Sequence, residues 1–307
     1  LLKILPPAAV TLAFFAIFVH SNHYVMLSKL IFLGLLPALV FLSACNDVKP
    51  DAKTAQADST GLTKEHDRTY DSLLNALDEM RHDPQLRGAS IGYLVVDITS
   101  DDPVIVADHQ AQVPLIPAST LKIFVTGAAL EFFGKSVIRE VMVTNQMSVN
   151  WRSSKLLRKI GGKVYNKATT AAGAKAIMEF WTEKGVDTHG MYFYDGNGLS
   201  RNNAISPKQL VDALYAMRTS PYFQYFYESL PLAGMTGTLH RAMKGSIAEG
   251  RIRAKTGTIN NVKSFAGYCN TITGRHLIFS LIVNDYEGRT RAVKKKLESV
   301  LIDMAKI

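Results

Sequence analysis

The order of two periodicities constrains this chain most: β-patterned segments stand at both ends of its folded part, and helical ones fill the middle. Ile91-Gly92-Tyr93-Leu94-Val95-Val96-Asp97 is rich in β-branched and aromatic residues, and Pro103–Val106 reads as a second short strand. Near the other end, Arg251–Thr256, Lys263–Asn270 and His276–Asn284 read as strands, separated by the turn signals Asn260-Asn261 and Thr273-Gly274. Thr120–Phe133 is too long and too rich in Ala and Leu for a strand, which predicts a buried helix with Ser119 at its start. Ser148–Gly161, Thr169–Lys184 and Ser206–Met217 read as further helices, the last opened by Ser206 as cap and Pro207 at the first position. A helix over Tyr70–Met80, with Leu73, Leu74 and Leu77 at helical spacing, opens the domain, and an amphipathic helix, Thr290–Ile307, closes it. Strands that flank a helical block predict a sheet lobe plus a helical lobe.

The beginning of the chain has a different character. Residues 1–44 contain no Asp or Glu and two basic residues, Lys3 and Lys29. From Met26 the sequence runs through Lys29 into an apolar stretch, Leu30 to Phe41, and then Leu42-Ser43-Ala44-Cys45, the layout of a signal peptide. The stretch falls short of the ~20 apolar residues that span a bilayer. Its ending resembles the lipobox of bacterial lipoproteins, which implies cleavage before Cys45, acylation of that residue and the two-chain anchor that stable attachment requires. A second apolar stretch, Leu12 to Val19, precedes it, and the chain opens with Leu, so translation is expected to start at Met26. Residues 45–67 are polar and lack apolar periodicity, as in a flexible tether. The expected organisation is therefore a leader over 1–44, a lipidated tether over 45–67 and a folded domain over 68–307.

Net charge of +9 alone is compatible with several polyanionic partners, but no block of like charge suggests a nucleic-acid arm. An envelope address points instead to anionic wall polymer or lipid headgroups. The two cysteines, Cys45 and Cys269, cannot form a disulfide framework, and the eight His residues show no metal-ligand spacing. Cys269 lies in an alternating strand and reads as a buried apolar residue.

Three short motifs carry the chemistry. Ser119-Thr120-Leu121-Lys122 places a hydroxyl and an amine one helical turn apart on the same face, where a desolvated lysine can take the proton of the serine. A solvated surface pair is the bland alternative, and the neighbours Ile116, Leu121, Ile123, Phe124 and Val125 argue for burial. Ser148-Val149-Asn150 puts a hydroxyl and an amide at a helix start, although Ser148 as a plain helix cap would also account for it. Lys255-Thr256-Gly257-Thr258 lies on a strand, where the glycine allows close backbone approach and the lysine adds charge; a bulged edge strand is the alternative.

In this order, the motifs resemble the Ser-x-x-Lys, Ser-Asp-Asn and Lys-Thr-Gly set of penicillin-recognising serine acyltransferases. Asp195-Gly196-Asn197-Gly198-Leu199-Ser200, Ser206–Val211, Leu232-Ala233-Gly234, Gly237-Thr238-Leu239 and Phe265-Ala266-Gly267-Tyr268 make the resemblance closer. From Gly88 to Ile307 the chain resembles the class C low-molecular-mass penicillin-binding proteins, D-alanyl-D-alanine carboxypeptidase/endopeptidases of peptidoglycan metabolism in a peptidase S13-like family. The resemblance implies an α/β (α+β) fold of the β-lactamase/transpeptidase type, an antiparallel sheet with flanking helices plus a helical lobe. It implies Ser119 as nucleophile, Lys122 as general base, Ser148 as proton relay and Asn150 as a holder of the substrate peptide. Lys255, Thr256 and Thr258, with Gly257 between them, would bind the terminal carboxylate or tune the field. Backbone N–H groups of Ser119 and Thr258 would form the oxyanion hole. Asp195–Ser200 reads as a turn after the strand Met191–Tyr194, Asn197-Gly198 supplying positive φ, and the resemblance places it, with Asp195, along the cleft. Peptidoglycan stem peptides are the implied substrates and β-lactams the implied covalent inhibitors, with no metal or organic cofactor.

The sequence also departs from that family. Ser119 and Ser148 are 29 positions apart, whereas typical members carry a large accessory region between these motifs. Here Gly134-Lys135-Ser136 joins the first helix directly to Val137–Met147, the segment expected to deliver the second motif as a helix. The middle residue of that motif is Val149, and Ser154-Lys155 stand where an acidic and an apolar residue are usual. Two other functions are compatible with the motifs: a serine β-lactamase, against which stands the lack of a Glu-x-x-x-Asn arrangement to position a deacylating water, and a wall-binding lipoprotein without turnover.

Overall fold

A computed structural model of the protein describes residues 68–307; the leader, the tether and Cys45 lie outside the described residues. Helix α1 (Asp71–Arg81) precedes strands β1 (Ser90–Asp97) and β2 (Val104–His109). Then come α2 (Lys122–Phe133), α3 (Ile138–Gln146), α4 (Asn150–Tyr165), α5 (Thr170–Glu183), α6 (Pro207–Met217) and α7 (Phe223–Ser229). The chain returns to β3 (Ile252–Ile259), β4 (Val262–Asn270) and β5 (His276–Asn284), and ends in α8 (Thr290–Lys306). The strands form one sheet in the order β2-β1-β5-β4-β3, with every neighbouring pair antiparallel.

The sheet separates two apolar cores. One face packs on α2 and the helical block, with Phe124, Leu157, Trp181, Leu214, Ala266 and Tyr268 among its buried residues. The opposite face packs on α1 and α8 through Leu73, Leu77, Phe265, Phe279, Val293 and Leu301. Strands β4 and β5 are buried on both faces, so their sequences read as nearly unbroken apolar runs rather than alternating ones. Helix α2 is buried over Lys122–Leu130, which is why its sequence is apolar all round. Helix α6 starts with a reciprocal capping box between Ser206 and Gln209 and has Pro207 at its first position.

Three local expectations differ from the structure. Strand β2 continues to His109, across a register shift opposite Val95 and Val96. Met191–Tyr194, expected as a strand before the Asp195 turn, makes a single bridge, Tyr192 to Ala204. Helix α7 was not expected; its residues, Phe-Gln-Tyr-Phe-Tyr-Glu-Ser, are aromatic and have weak helix propensity, and packing supplies what propensity does not.

Candidate active site

The Ser119 turn is built from Pro117 and a 3₁₀ segment, Ala118–Leu121, that runs into α2. Ala118 is fully buried with φ of +48°, a region in which a Cβ is costly. The surroundings hold it there: the Pro117 carbonyl accepts from Thr120 Oγ1 and from Ser264 Oγ, both at 2.6 Å. Two glycines close over the turn. A Cβ on Gly198 would stand 2.0 Å from the Ala118 carbonyl oxygen, and one on Gly257 would stand 2.7 Å from that of Pro117. The close approach that Gly257 permits is therefore between β3 and the Ser119 turn itself. Ser119 sits at the positive end of the helical run and is 8% exposed.

Lys122 Nζ, completely buried, lies 2.6 Å from Ser119 Oγ, 2.9 Å from Asn150 Oδ1 and 2.6 Å from the Asn197 carbonyl oxygen. Two of these partners can only accept, whereas the serine hydroxyl can donate or accept. A neutral amine has two N–H groups and one lone pair, so it satisfies Asn150 and Asn197 and still accepts the Ser119 proton. Burial lowers the Lys122 pKa to about 7, against the opposing pull of the Asp195 carboxylate.

The second motif meets the first and third through lysines. Val149, not Ser148, occupies the position before the first turn of α4, and no side chain caps that helix. Ser148 instead adopts φ of +55°, and its Oγ accepts from Lys255 Nζ at 2.9 Å. Asn150 contributes its side-chain oxygen to Lys122. Lys255 is fully buried and also donates to the Thr256 carbonyl at 2.9 Å. Burial, then the charges of Lys122 and Lys263, push its pKa well below the ordinary lysine value.

Strand β3 is an edge strand. Ala254 N–H points off that edge, donating to the Pro231 carbonyl at 3.0 Å. Strand geometry repeats every two residues, so the N–H groups of Thr256 and Thr258 point off the same edge, further along. Gly257 touches the Ser119 turn, and the Thr258 N–H follows it on the open edge of the strand. Thr256 Oγ1 donates to Thr238 Oγ1 at 2.9 Å on the outer surface.

Asp195 is connected inward. Its Oδ1 accepts from the Asn197 and Gly198 N–H groups at 2.9 and 2.6 Å, and its Oδ2 from Ser200 N–H at 2.8 Å. The carboxylate shapes its own loop and so presents the Asn197 carbonyl to Lys122. The loop is fastened to α4 by Ser153 Oγ donating to the Gly196 carbonyl at 2.5 Å and Asn197 Nδ2 donating to Ser154 Oγ at 2.9 Å. Ser154, the departure from the usual pattern, thus supports the cleft wall. Asn197, Ser264, Lys263 and Thr238 belong to the site's framework and were not singled out from sequence. Asn197 and Thr238 lay inside quoted motifs, while Ser264 and Lys263 act through register and carried no local signal. Cys269 is buried on the face opposite Ser119, and burial raises its thiol pKa to about 12, so it is an inert packing residue.

Among known proteins, a D-alanyl-D-alanine carboxypeptidase of Actinomadura sp. (strain R39) is 36% identical over 148 residues, 47% of this chain and 27% of that protein. The D-alanyl-D-alanine carboxypeptidase DacB of Haemophilus influenzae is 27% identical over 143 residues, 45% of this chain and 30% of its own length. The chain thus spans under a third of the length of these two relatives. A crystal structure of penicillin binding protein 4 (dacB) from H. influenzae, complexed with a β-lactam, superposes with a TM-score of 0.65 at 13% identity, covering 75% of this chain and 98% of that one. A β-lactamase from Sphaerobacter thermophilus superposes with a TM-score of 0.58 at 14% identity, covering 76% and 96%, so the β-lactamase/transpeptidase-like fold is shared. The profile described as "D-Ala-D-Ala carboxypeptidase 3 (S13) family" matches residues 73–140 and 135–303, two stretches that meet in the turn after α2, where the accessory region was expected to be missing. With both stretches together covering most of the sequence, the chain belongs to the S13 family of D-Ala-D-Ala carboxypeptidases.

Proposed function

We propose that this protein is a serine D-Ala-D-Ala carboxypeptidase or endopeptidase acting on peptidoglycan stem peptides through an acyl-enzyme on Ser119. The observation that carries this reading is the 2.6 Å contact between Ser119 Oγ and a buried Lys122 whose other two partners are acceptors. Ser119 Oγ bonds to the carbonyl carbon of the D-Ala-D-Ala peptide while its proton passes to Lys122. Charge on the carbonyl oxygen is met by the N–H groups of Ser119 and Thr258, each such donor being worth about 10²–10³ in rate. The C–N bond then breaks: Ser148 hands its proton to the leaving amine and takes up the one that Lys122 received from Ser119, which returns Lys122 to its neutral form. Because Ser148 Oγ accepts from Lys255, its own O–H is directed elsewhere, as a relay requires. Water adds to the ester, the C–O bond to Ser119 breaks, and the serine recovers its proton. The Thr256 hydroxyl, exposed at the strand edge, and the Lys255 charge suit the substrate's terminal carboxylate.

β-Lactams present the same carbonyl in a ring whose amine cannot leave, so they are expected to trap the acyl-enzyme. Incubation with a fluorescent penicillin tests this: persistent label, lost in Ser119→Ala, is the expected result. Rapid turnover of the label would establish a β-lactamase instead, and no labelling of the intact protein would overturn both enzymatic readings. Digestion of purified muropeptides separates removal of terminal D-Ala from cleavage of cross-links. We infer further that the Leu42–Cys45 sequence directs the protein to the cell envelope as a lipoprotein. Metabolic labelling with a fatty acid, lost in Cys45→Ser together with membrane association, is the expected outcome.

A further inference from the structure

A third lysine is buried near the site, and the acyl-transfer steps do not use it. Lys263, on β4, pairs in register with Thr258 on β3 and is 4% exposed. Its Nζ donates to Thr258 Oγ1 at 2.6 Å and lies 4.8 Å from the centre of the Phe265 ring. By strand alternation the side chains of Thr258, Lys263 and Phe265 all lie on the α8 face of the sheet, opposite the face that packs on the Ser119 turn. Lys263 therefore cannot touch a substrate in the cleft, but it holds the residue whose N–H points into it.

We propose that Lys263 is a positioning residue for acylation, fixing Thr258 from behind the sheet so that its N–H stays aimed at the carbonyl oxygen that becomes an oxyanion. This rests on the carboxypeptidase reading, which makes the Thr258 N–H an oxyanion donor. The geometry makes the tether necessary. Beyond Ala254, the outer edge of β3 has no strand beside it, and the β3–β4 turn at Asn260-Asn261 follows within three residues of Thr258. A strand end free on one side is where fraying begins. A charge-assisted hydrogen bond from a buried ammonium is among the stronger tethers available there, and it adds positive charge behind the oxyanion. The charged groups facing Lys263 are Lys294 and Glu298 on α8, which pair with each other at 3.2 Å; Lys255 lies on the opposite face of β3, close enough for the two charges to be felt across the sheet. Burial, followed by the charge of Lys294 and against that of Glu298, lowers the Lys263 pKa to about 8. The tether is thus charged at neutral pH and loses its proton in mildly alkaline solution.

The test is the pH dependence of penicillin acylation and of D-Ala-D-Ala peptide hydrolysis in Lys263→Met and Lys263→Arg proteins. In the parent, acylation should rise through about pH 7 as Lys122 becomes neutral and fall above about pH 8 as Lys263 does. Lys263→Met should lower kcat about tenfold or more with KM little changed, and should abolish the alkaline fall. Lys263→Arg should restore much of kcat and move the alkaline fall upward. Thr258→Ala, which keeps the N–H but removes the hydroxyl acceptor, should reproduce the loss, and combining it with Lys263→Met should add little more. This second variant keeps the test valid if Lys263→Met does not fold. Unchanged rate and pH profile in Lys263→Met would overturn the inference. So would equal losses in the Met and Arg variants with the alkaline fall retained. If the parent protein takes no label at Ser119, the carboxypeptidase reading fails first, and the inference with it.

Discussion

The turns that deliver Ser119 and Ser148 each contain a non-glycine residue in the left-handed region, yet they are held in opposite ways. Around Ala118 the constraint is steric and complete: the residue is buried, Gly198 and Gly257 press on its backbone, and two hydroxyls bind the preceding carbonyl. Ser148 is half-buried, and what holds it is polar: its own hydroxyl on Lys255, and Asn150 two residues later on Lys122. The difference fits the roles proposed for the two serines, nucleophile and relay. A nucleophile must be in place before the substrate arrives, so its position is fixed by packing that no proton transfer disturbs. A relay must exchange hydrogen-bond partners during the reaction, so its position depends on bonds that can be remade.

Substitutions that test this contrast differ in size. Lys122→Met, which joins both turns, should reduce acylation by about 10²–10⁴. It should also change stability with a definite sign. The folded protein holds Lys122 with a pKa lowered to about 7 from 10.5, so the native amine is destabilising below pH 7 and ceases to be so as pH rises towards 10.5. Urea unfolding should therefore show Lys122→Met most stabilised relative to the parent at or below pH 7, with the advantage shrinking across that interval. Gly198→Ala places a Cβ 2.0 Å from the Ala118 carbonyl at a φ of +85°, and should cost about 2–4 kcal/mol along with the acylation rate. At the other turn, Ser148→Gly and Ser148→Ala should both slow turnover, but the glycine variant should be the more stable by about 1 kcal/mol because it relieves the strained φ. If the two variants are equally stable, the strain assigned to this turn is not there. Smallest is Ser154→Ala, which removes the acceptor for Asn197 Nδ2 and should cost about 0.5–1.5 kcal/mol with modest loss of rate.

What could be read from the sequence divides along similar lines. Elements with a strong internal pattern were legible, such as the Ser206-Pro207 start of α6 and the apolar runs of β4 and β5. So was the Ser119–Lys122 pair, because one helical turn fixes its geometry locally. Features that depend on distant contacts were not legible. Ser148 follows a pattern that suits a helix cap, but Lys255, more than a hundred residues away, draws its hydroxyl elsewhere. The Asn197 partner of Lys122 is a backbone carbonyl, which every residue possesses and no motif can mark. Asp195 was expected along the cleft from the resemblance alone; that the turn's own N–H groups bind both of its oxygens is a contact no motif marks. Lys263 carries no local mark in the sequence; register alone places it opposite Thr258.

The open edge of β3 bears on solubility as well as on the proposed reaction. An unpaired strand edge invites pairing with a second molecule and self-association, so proteins keep such edges short or covered. Here Leu232 bridges Arg253, while the Ala233 and Ala254 N–H groups bond across the edge to Ile252 and Pro231, so the first half of the strand is already occupied. Among the described residues, the stretch from Thr256 to Ile259 is left, about 13 Å at strand spacing. A window that narrow admits a short extended peptide but gives little purchase to a full strand of another chain, so the exposure the proposed reaction needs offers a second molecule little to pair with.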